Sequence, residues 1–222
     1  LAKLVEVREL ILLWTLNPIK KAMMNNKRRK QEKDKSESNT QASAEREQEA
    51  SYIDALEAQR AEKDAYFRQN PYSPLEPEDR RNFSGLQYYE PDLTFQYILQ
   101  LQPADPERIT LQTNTGDEQT YNRIGTVKFE VDGEPAEAAI YQSTDGDDLF
   151  LPFRDATSGK ETYGAGRYLE PVDLGTGEVL VDFNLAYNPY CAYSPNFSCP
   201  LPPVENWLKV PIRAGEKKFK EH

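Results

Sequence analysis

From residue 94 onward, apolar side chains recur at every second position in short runs separated by turn-forming residues. A period of two places alternate side chains on opposite faces of an extended chain, so this part buries its apolar residues as strands. TFQYILQLQ (94–102) alternates Phe95, Tyr97, Leu99 and Leu101 with polar residues, Ile98 excepted. ERITLQT (107–113), TYNRIGTVKFEVDG (120–133), AEAAIYQS (136–143), DDLFLPF (147–153), TYGAGRYL (162–169), EVLVDFN (178–184) and LKVPI (208–212) continue the series. Asp132-Gly133 is a hairpin signal, because a primed two-residue turn needs positive φ. The expected fold class is all-β: a curled antiparallel sheet closing into a small barrel or sandwich, with one N-terminal α-helix and a disordered N-terminal tail.

The helix is expected at 46–69 (REQEASYIDALEAQRAEKDAYFRQ), which is rich in strong helix formers. Ile53, Leu56, Arg60, Lys63 and Phe67 fall near one thin stripe, and Asn70-Pro71 ends it. A short helical turn is expected in 73–83, with Pro77 at an early position. Residues 25–45 hold almost no apolar side chains, so they cannot offset the entropy of ordering. The domain division is therefore a disordered or artefactual tail at 1–45 and a single domain at 46–222, with its β body at 94–216. The apolar run at 10–16 falls short of the roughly 20 residues that span a bilayer. Residues 1–24 read as an extension ahead of a start at Met23 or Met24. The alternative is an interfacial helix backed by Lys20, Lys21, Lys27, Arg28, Arg29 and Lys30.

Charge and rare residues narrow the chemistry. The net charge is −10, unevenly spread: residues 1–35 hold ten Lys/Arg against four Asp/Glu, and the rest hold 17 against 33. An acidic body repels nucleic acid, so none is expected to bind it. The single histidine is His222, at the fraying C-terminus. That argues against a His-dependent triad and a His-ligated metal. Two cysteines are too few for a disulfide framework. No metal and no cofactor are expected, and a cytoplasmic location is.

The unusual local chemistry lies in 149–207. FRDATSG places Arg154 and Asp155 at a strand end before a turn, where Asp155 caps backbone or acts as an acid-base group. TYGAGR contains G-x-G without a following helix, so a phosphate cradle is not expected. Alternation would put Tyr163 and Arg167 on one strand face, and Asp182 and Asn184 on one face of another. Arg167 would pair with Asp155 or Asp182, or clamp an anionic ligand. Asn188-Pro189 opens a long proline-rich loop to Pro203, carrying Tyr190, Tyr193 and Phe197 just beyond Tyr187. Cys191 and Cys199 sit in it, eight apart. Reduced and buried packing is the favoured reading; a disulfide, a metal site and a nucleophilic Cys191 are the others.

FRDATSGKETYGAGRYL, VDFNLAYNPYCAY, CPLPPVENWL and IRAGEK occur in that order. Together they resemble the uncharacterised family known as domain of unknown function 1684, over roughly 50–218 and most strongly in 149–216. The resemblance implies a β-rich fold and supplies no activity, so function rests on the site. Three readings follow. The favoured one is a small-ligand or peptide binding β module, with a pocket lined by Tyr163, Arg167, Asn184, Tyr187 and Asn188. The second is a His-independent enzyme with Asp155 or Asp182 as base or Cys191 as nucleophile. The third is an interaction protein whose partner surface is the N-terminal helix. The six residues Asp155, Tyr163, Arg167, Asp182, Asn184 and Cys191 are expected to converge at one end of the β body.

Overall fold

The computed structural model describes residues 38–220. The readings made for 1–37 lie outside the described residues. The chain divides into two units, 1–66 and 67–222. In the first, the described part is helix. This helix, α1 (Ser38–Gln69), starts before the expected Arg46 and stops before Asn70-Pro71, where proline disfavours a helical predecessor. No helix among the described residues is long and apolar enough to cross a membrane.

The second unit begins with the last residues of α1 and a short helix α2 (Pro77–Arg81), with proline at its start and Glu78 and Asp79 in its first turn. Two antiparallel sheets follow. One has three strands, in the order β1 (Gln96–Gln100), β8 (Glu178–Asp182), β7 (Val172–Asp173). The other runs consecutively through β2 (Gln102–Gln112), β3 (Glu118–Val131), β4 (Glu134–Ser143), β5 (Leu149–Phe153) and β6 (Arg167–Leu169). Among the described residues the sheets do not close into a barrel. The chain leaves β1 at Leu101 for the second sheet and returns to β1 only through β8.

Each sheet supplies one face to a common core. Val127, Phe129 and Val131 of β3, Ile140 of β4, Leu151 and Phe153 of β5 and Leu169 of β6 meet Val179 and Val181 of β8 and the adjoining Phe183. Phe183 touches Phe129 and Phe153, with ring centroids 5.4 and 5.3 Å apart. The opposite face of the larger sheet carries Tyr121, Ala139, Tyr141, Phe150 and Tyr168, and it packs against Cys191, Cys199 and the tyrosine-rich loop. Burial on both faces explains why β5 is apolar at every position instead of alternating.

Three local expectations met different outcomes. Asp132 and Gly133 both have positive φ (52° and 81°) and join β3 to β4 with Val131 opposite Glu134, as a primed turn requires. The strand expected over 162–169 shrinks to Arg167–Leu169, because Thr162 and the glycines turn instead. No strand forms at 208–212. That segment runs beside the end of β5, with Leu208 N–H donating to Arg154 O (2.8 Å) and Ala156 N–H to Val210 O (3.1 Å). Pro211 cannot donate to a ladder.

Candidate functional site

Asp155 follows β5 and is almost wholly buried. Its carboxylate accepts from Thr157 Oγ1 (2.8 Å), Ser158 Oγ (3.1 Å) and the Ile212 amide (2.7 Å). Thr157 Oγ1 also bonds Thr162 Oγ1 at 2.9 Å. The side chain thus organises the ATSG turn and pins the C-terminal segment to it. A carboxylate whose acceptor sites are taken by neutral donors is a cap first.

Arg167 opens β6 and is 0% exposed. Its guanidinium donates to three backbone carbonyls: Ala214 (2.5 Å), Ile212 (2.8 Å) and Glu216 (3.3 Å). Asp155 Oδ1 stands 3.6 Å away, an ion pair longer than a hydrogen bond, and the Phe153 ring centroid lies 5.1 Å from the guanidinium carbon. Burial pulls the Arg167 value below its ordinary one, and the Asp155 charge opposes that. Planar, five-donor arginine is the side chain that can satisfy carbonyls in a curved segment this way.

That segment carries a residue the sequence reading missed. Glu216 is 1% exposed. Its carboxylate accepts from the Asn188 amide (3.2 Å), from Asn188 Nδ2 (3.0 Å) and, in a short contact, from the Tyr193 hydroxyl. Asn188 Nδ2 also reaches Lys217 O at 2.8 Å. Burial, then the neighbouring Glu216 charge, hold the Tyr193 hydroxyl well above its ordinary value. Gly215 permits the turn: its φ is +74°, and any Cβ there would run into the carbonyl oxygens of Ala186 and Phe183. The available signal was a glycine directly before a glutamate in IRAGEK.

Asp182 and Asn184 form a separate group. Asp182 caps the turn that follows β8 by accepting from the Asn184 amide (3.0 Å), and it also accepts from Asn184 Nδ2 (3.0 Å) and Gln96 Nε2 (2.9 Å). Asn184 grips the backbone of Asp92, accepting from its N–H and donating to its carbonyl, each at 2.9 Å. Asn206, also missed, acts in the same manner: fully buried, it bonds Ala139 N–H (2.7 Å), Ala139 O (3.0 Å) and Pro152 O (2.9 Å).

Tyr163 meets Cys191. Its hydroxyl lies 3.8 Å from Cys191 Sγ and 3.5 Å from Cys191 O. Cys191 and Cys199 are both free and buried, and the Cys191 amide donates to Cys199 Sγ at 3.3 Å. A hydrogen bond from Cys199 lowers the Cys191 thiol, and the same bond, followed by burial, raises that of Cys199. Tyr187 donates to Glu170 Oε1 (2.9 Å) and Tyr168 to Pro200 O (2.6 Å). Tyr163, Tyr187, Tyr190 and Phe197 are half-buried at the edge of this cluster. Among the described residues, no group of three or more His, Cys, Asp or Glu is placed to hold a metal ion. The six expected residues thus fall into an Asp155–Arg167 pair, a Tyr163–Cys191 contact and an Asp182–Asn184 pair.

Alkali should expose how deeply the tyrosines are held. Burial first, then neighbouring Glu205, raises Tyr141; burial first also raises Tyr163, Tyr168 and Tyr193. Values raised in the folded state give stability that is complete below the ordinary value of 10.0 and is lost as pH climbs above it. In a titration followed by tyrosinate absorbance and circular dichroism, the buried Tyr141, Tyr168 and Tyr193 should ionise only as the β signal is lost. Their ionisation near pH 10 with the β signal intact would show them solvated.

A family model described as "Protein of unknown function (DUF1684)" matches residues 81–217, more than half of the chain. No curated protein matches. The solution NMR structure of an uncharacterized protein of Haloarcula marismortui is similar, at 40% identity and a TM-score of 0.62. The match covers 79% of this chain and 99% of that one.

Proposed function

Because the chain belongs to the family described as Protein of unknown function (DUF1684), whose description names no activity, we propose from its own site that it is a small-ligand or peptide binding β module. The recognition face in this reading is the edge of the 185–203 loop with Tyr163, Tyr187 and Tyr190. The observation that carries it is the anchoring of that loop. Asn188 and Tyr193 tie it to buried Glu216, Tyr168 ties Pro200, and Asn114 Oδ1 accepts from the Cys199 amide at 2.7 Å. A long loop fixed by buried polar groups while Tyr187 and Tyr190 stay half-exposed is pre-organised, and rigid aromatic side chains bind at low entropic cost. Arg167, Asn184 and Asn188 belong to the frame beneath the face. The reading carries with it a reducing, cytoplasmic location, in which Cys191 and Cys199 rest as thiols.

An enzyme reading through Cys191 keeps one supporting observation, its lowered thiol beside Tyr163. Asp155 and Asp182 are poorer candidates, since each is engaged by several donors. Amide NMR of the full chain, titrated with aromatic and charged small molecules and short peptides, tests the binding reading. Binders should shift the amides of Tyr163, Tyr187 and Tyr190, and Tyr187→Ala, which also gives up the Glu170 bond and the Tyr168 ring contact, should abolish those shifts while the β amides keep their folded dispersion. Binders that consistently map to another surface would overturn it.

A further inference from the structure

We propose that Cys191 and Cys199 form an oxidation site, a dithiol that a hydroperoxide converts to an intramolecular disulfide, with Cys191 oxidised first and Cys199 resolving. Both side chains belong to one buried cluster on the outer face of the larger sheet. Their backbones are fixed independently. Cys191 lies in the turn Tyr190–Ala192, closed by Ala192 N–H to Pro189 O at 2.9 Å. Cys199 is held against the β2–β3 turn: Asn114 Oδ1 accepts its amide and Asn114 N–H donates to its carbonyl at 3.1 Å. This arrangement brings Cys199 Sγ to 3.3 Å from the Cys191 nitrogen, on the same residue as the sulfur it must reach.

The two sulfurs are not equivalent. Cys199 Sγ accepts from the Cys191 backbone amide at 3.3 Å, whereas Cys191 Sγ has a side-chain hydroxyl, that of Tyr163, at 3.8 Å. A hydroxyl can hand a proton to the oxygen that leaves the peroxide and a backbone amide cannot, so Cys191 is the sulfur placed to react first. The lowered Cys191 thiol and raised Cys199 thiol agree with this assignment. Cys191 is 8% exposed and Cys199 7%, so the oxidant has to be small.

The chemistry closes with a hydroperoxide as the only co-reactant. Cys191 thiolate attacks the terminal oxygen of the peroxide. An S–O bond forms, the O–O bond breaks, and the alkoxide leaves and takes a proton to become an alcohol, or water from hydrogen peroxide. The sulfur, oxidised by two electrons, is now a sulfenic acid. Cys199 sulfur then attacks Cys191 sulfur. The S–S bond forms, the S–O bond breaks, and the departing hydroxide takes the Cys199 proton and leaves as water. The closed loop would contain Phe197, and the bond would remove the thiol that accepts from the Tyr163 hydroxyl, so Tyr163 reports on it.

The test uses the reduced full chain and hydrogen peroxide. Intact mass should fall by two hydrogens, and the thiol count in denaturant should drop from the two free cysteines to none. Dithiothreitol should restore both, and digestion should yield one peptide pair linking Cys191 to Cys199. In Cys199→Ser, dimedone should trap a sulfenic acid at Cys191, whereas Cys191→Ser should leave Cys199 largely unlabelled. The wild-type mass and peptide map decide the matter even if a variant folds poorly. Two intact thiols in the folded protein under excess peroxide would overturn the proposal. So would bonds formed only between chains.

Discussion

Replacing Arg167 with alanine should destabilise the protein by about 3–5 kcal/mol, the range for breaking a buried ion pair by removing one partner. The substitution removes the donors to the carbonyls of Ile212, Ala214 and Glu216 and leaves Asp155 without its counter-charge, all in a site closed to water. Asp155 would keep its Thr157, Ser158 and Ile212 donors, so the turn after β5 should survive while the 212–217 segment loosens. Arg167→Lys should recover only part of the loss, because an ammonium cannot present a planar fork to three carbonyls. Urea unfolding of the three proteins measures the differences. A cost near 1 kcal/mol for the alanine variant would instead fit a solvated guanidinium, as in a wet ligand pocket.

Gly215→Ala should be about as severe, roughly 2–5 kcal/mol from positive-φ strain together with overpacking. A Cβ there would lie 2.5 Å from Ala186 O and 2.7 Å from Phe183 O, and both obstacles are backbone that cannot swing aside. The same backbone is already committed: Glu216 N–H donates to Ala186 O and Tyr89 N–H to Gly215 O, each at 2.9 Å. Relief requires the 214–216 segment to move, which shifts two of the Arg167 acceptors and the Glu216 carboxylate. The variant should therefore melt lower and lose the protection of Tyr193. Gly116→Ala serves as the control. It also has positive φ, but its Cβ would meet nothing within 4 Å, so its cost should be strain alone. Equal melting temperatures for the two variants would show that the crowding at Gly215 is relieved cheaply.

The strands were legible wherever one face is buried, because alternation survives there. β1, β3 and β4 lie close to their expected positions, and the Asp132-Gly133 turn sets the register of the longest pair. Alternation fades where both faces are covered, as in β5, and where the backbone turns to serve a side chain, as around Asp155. The pairing of Arg167 with Asp155 instead of Asp182 depends on which loop meets β6, and sequence distance carries no information about that. Strand parity failed for Tyr163 and Arg167 because Gly166 precedes a strand of only three residues. Glu216 and Asn206 escaped notice for a related reason. Their partners are mostly backbone groups or residues far along the chain, so neither lies in a run that announces a site.

In the binding reading, buried polar anchors hold the 185–203 loop rigid beneath Tyr187 and Tyr190. Amide hydrogen exchange of the native protein tests it most directly. The amides of Asn188, Tyr193, Cys199 and Leu201, bonded to Glu216 Oε2, Tyr190 O, Asn114 Oδ1 and Gln112 O, should exchange about as slowly as those of β4. Exchange of these amides at the rate of an unstructured peptide, while β4 stays protected, would contradict it.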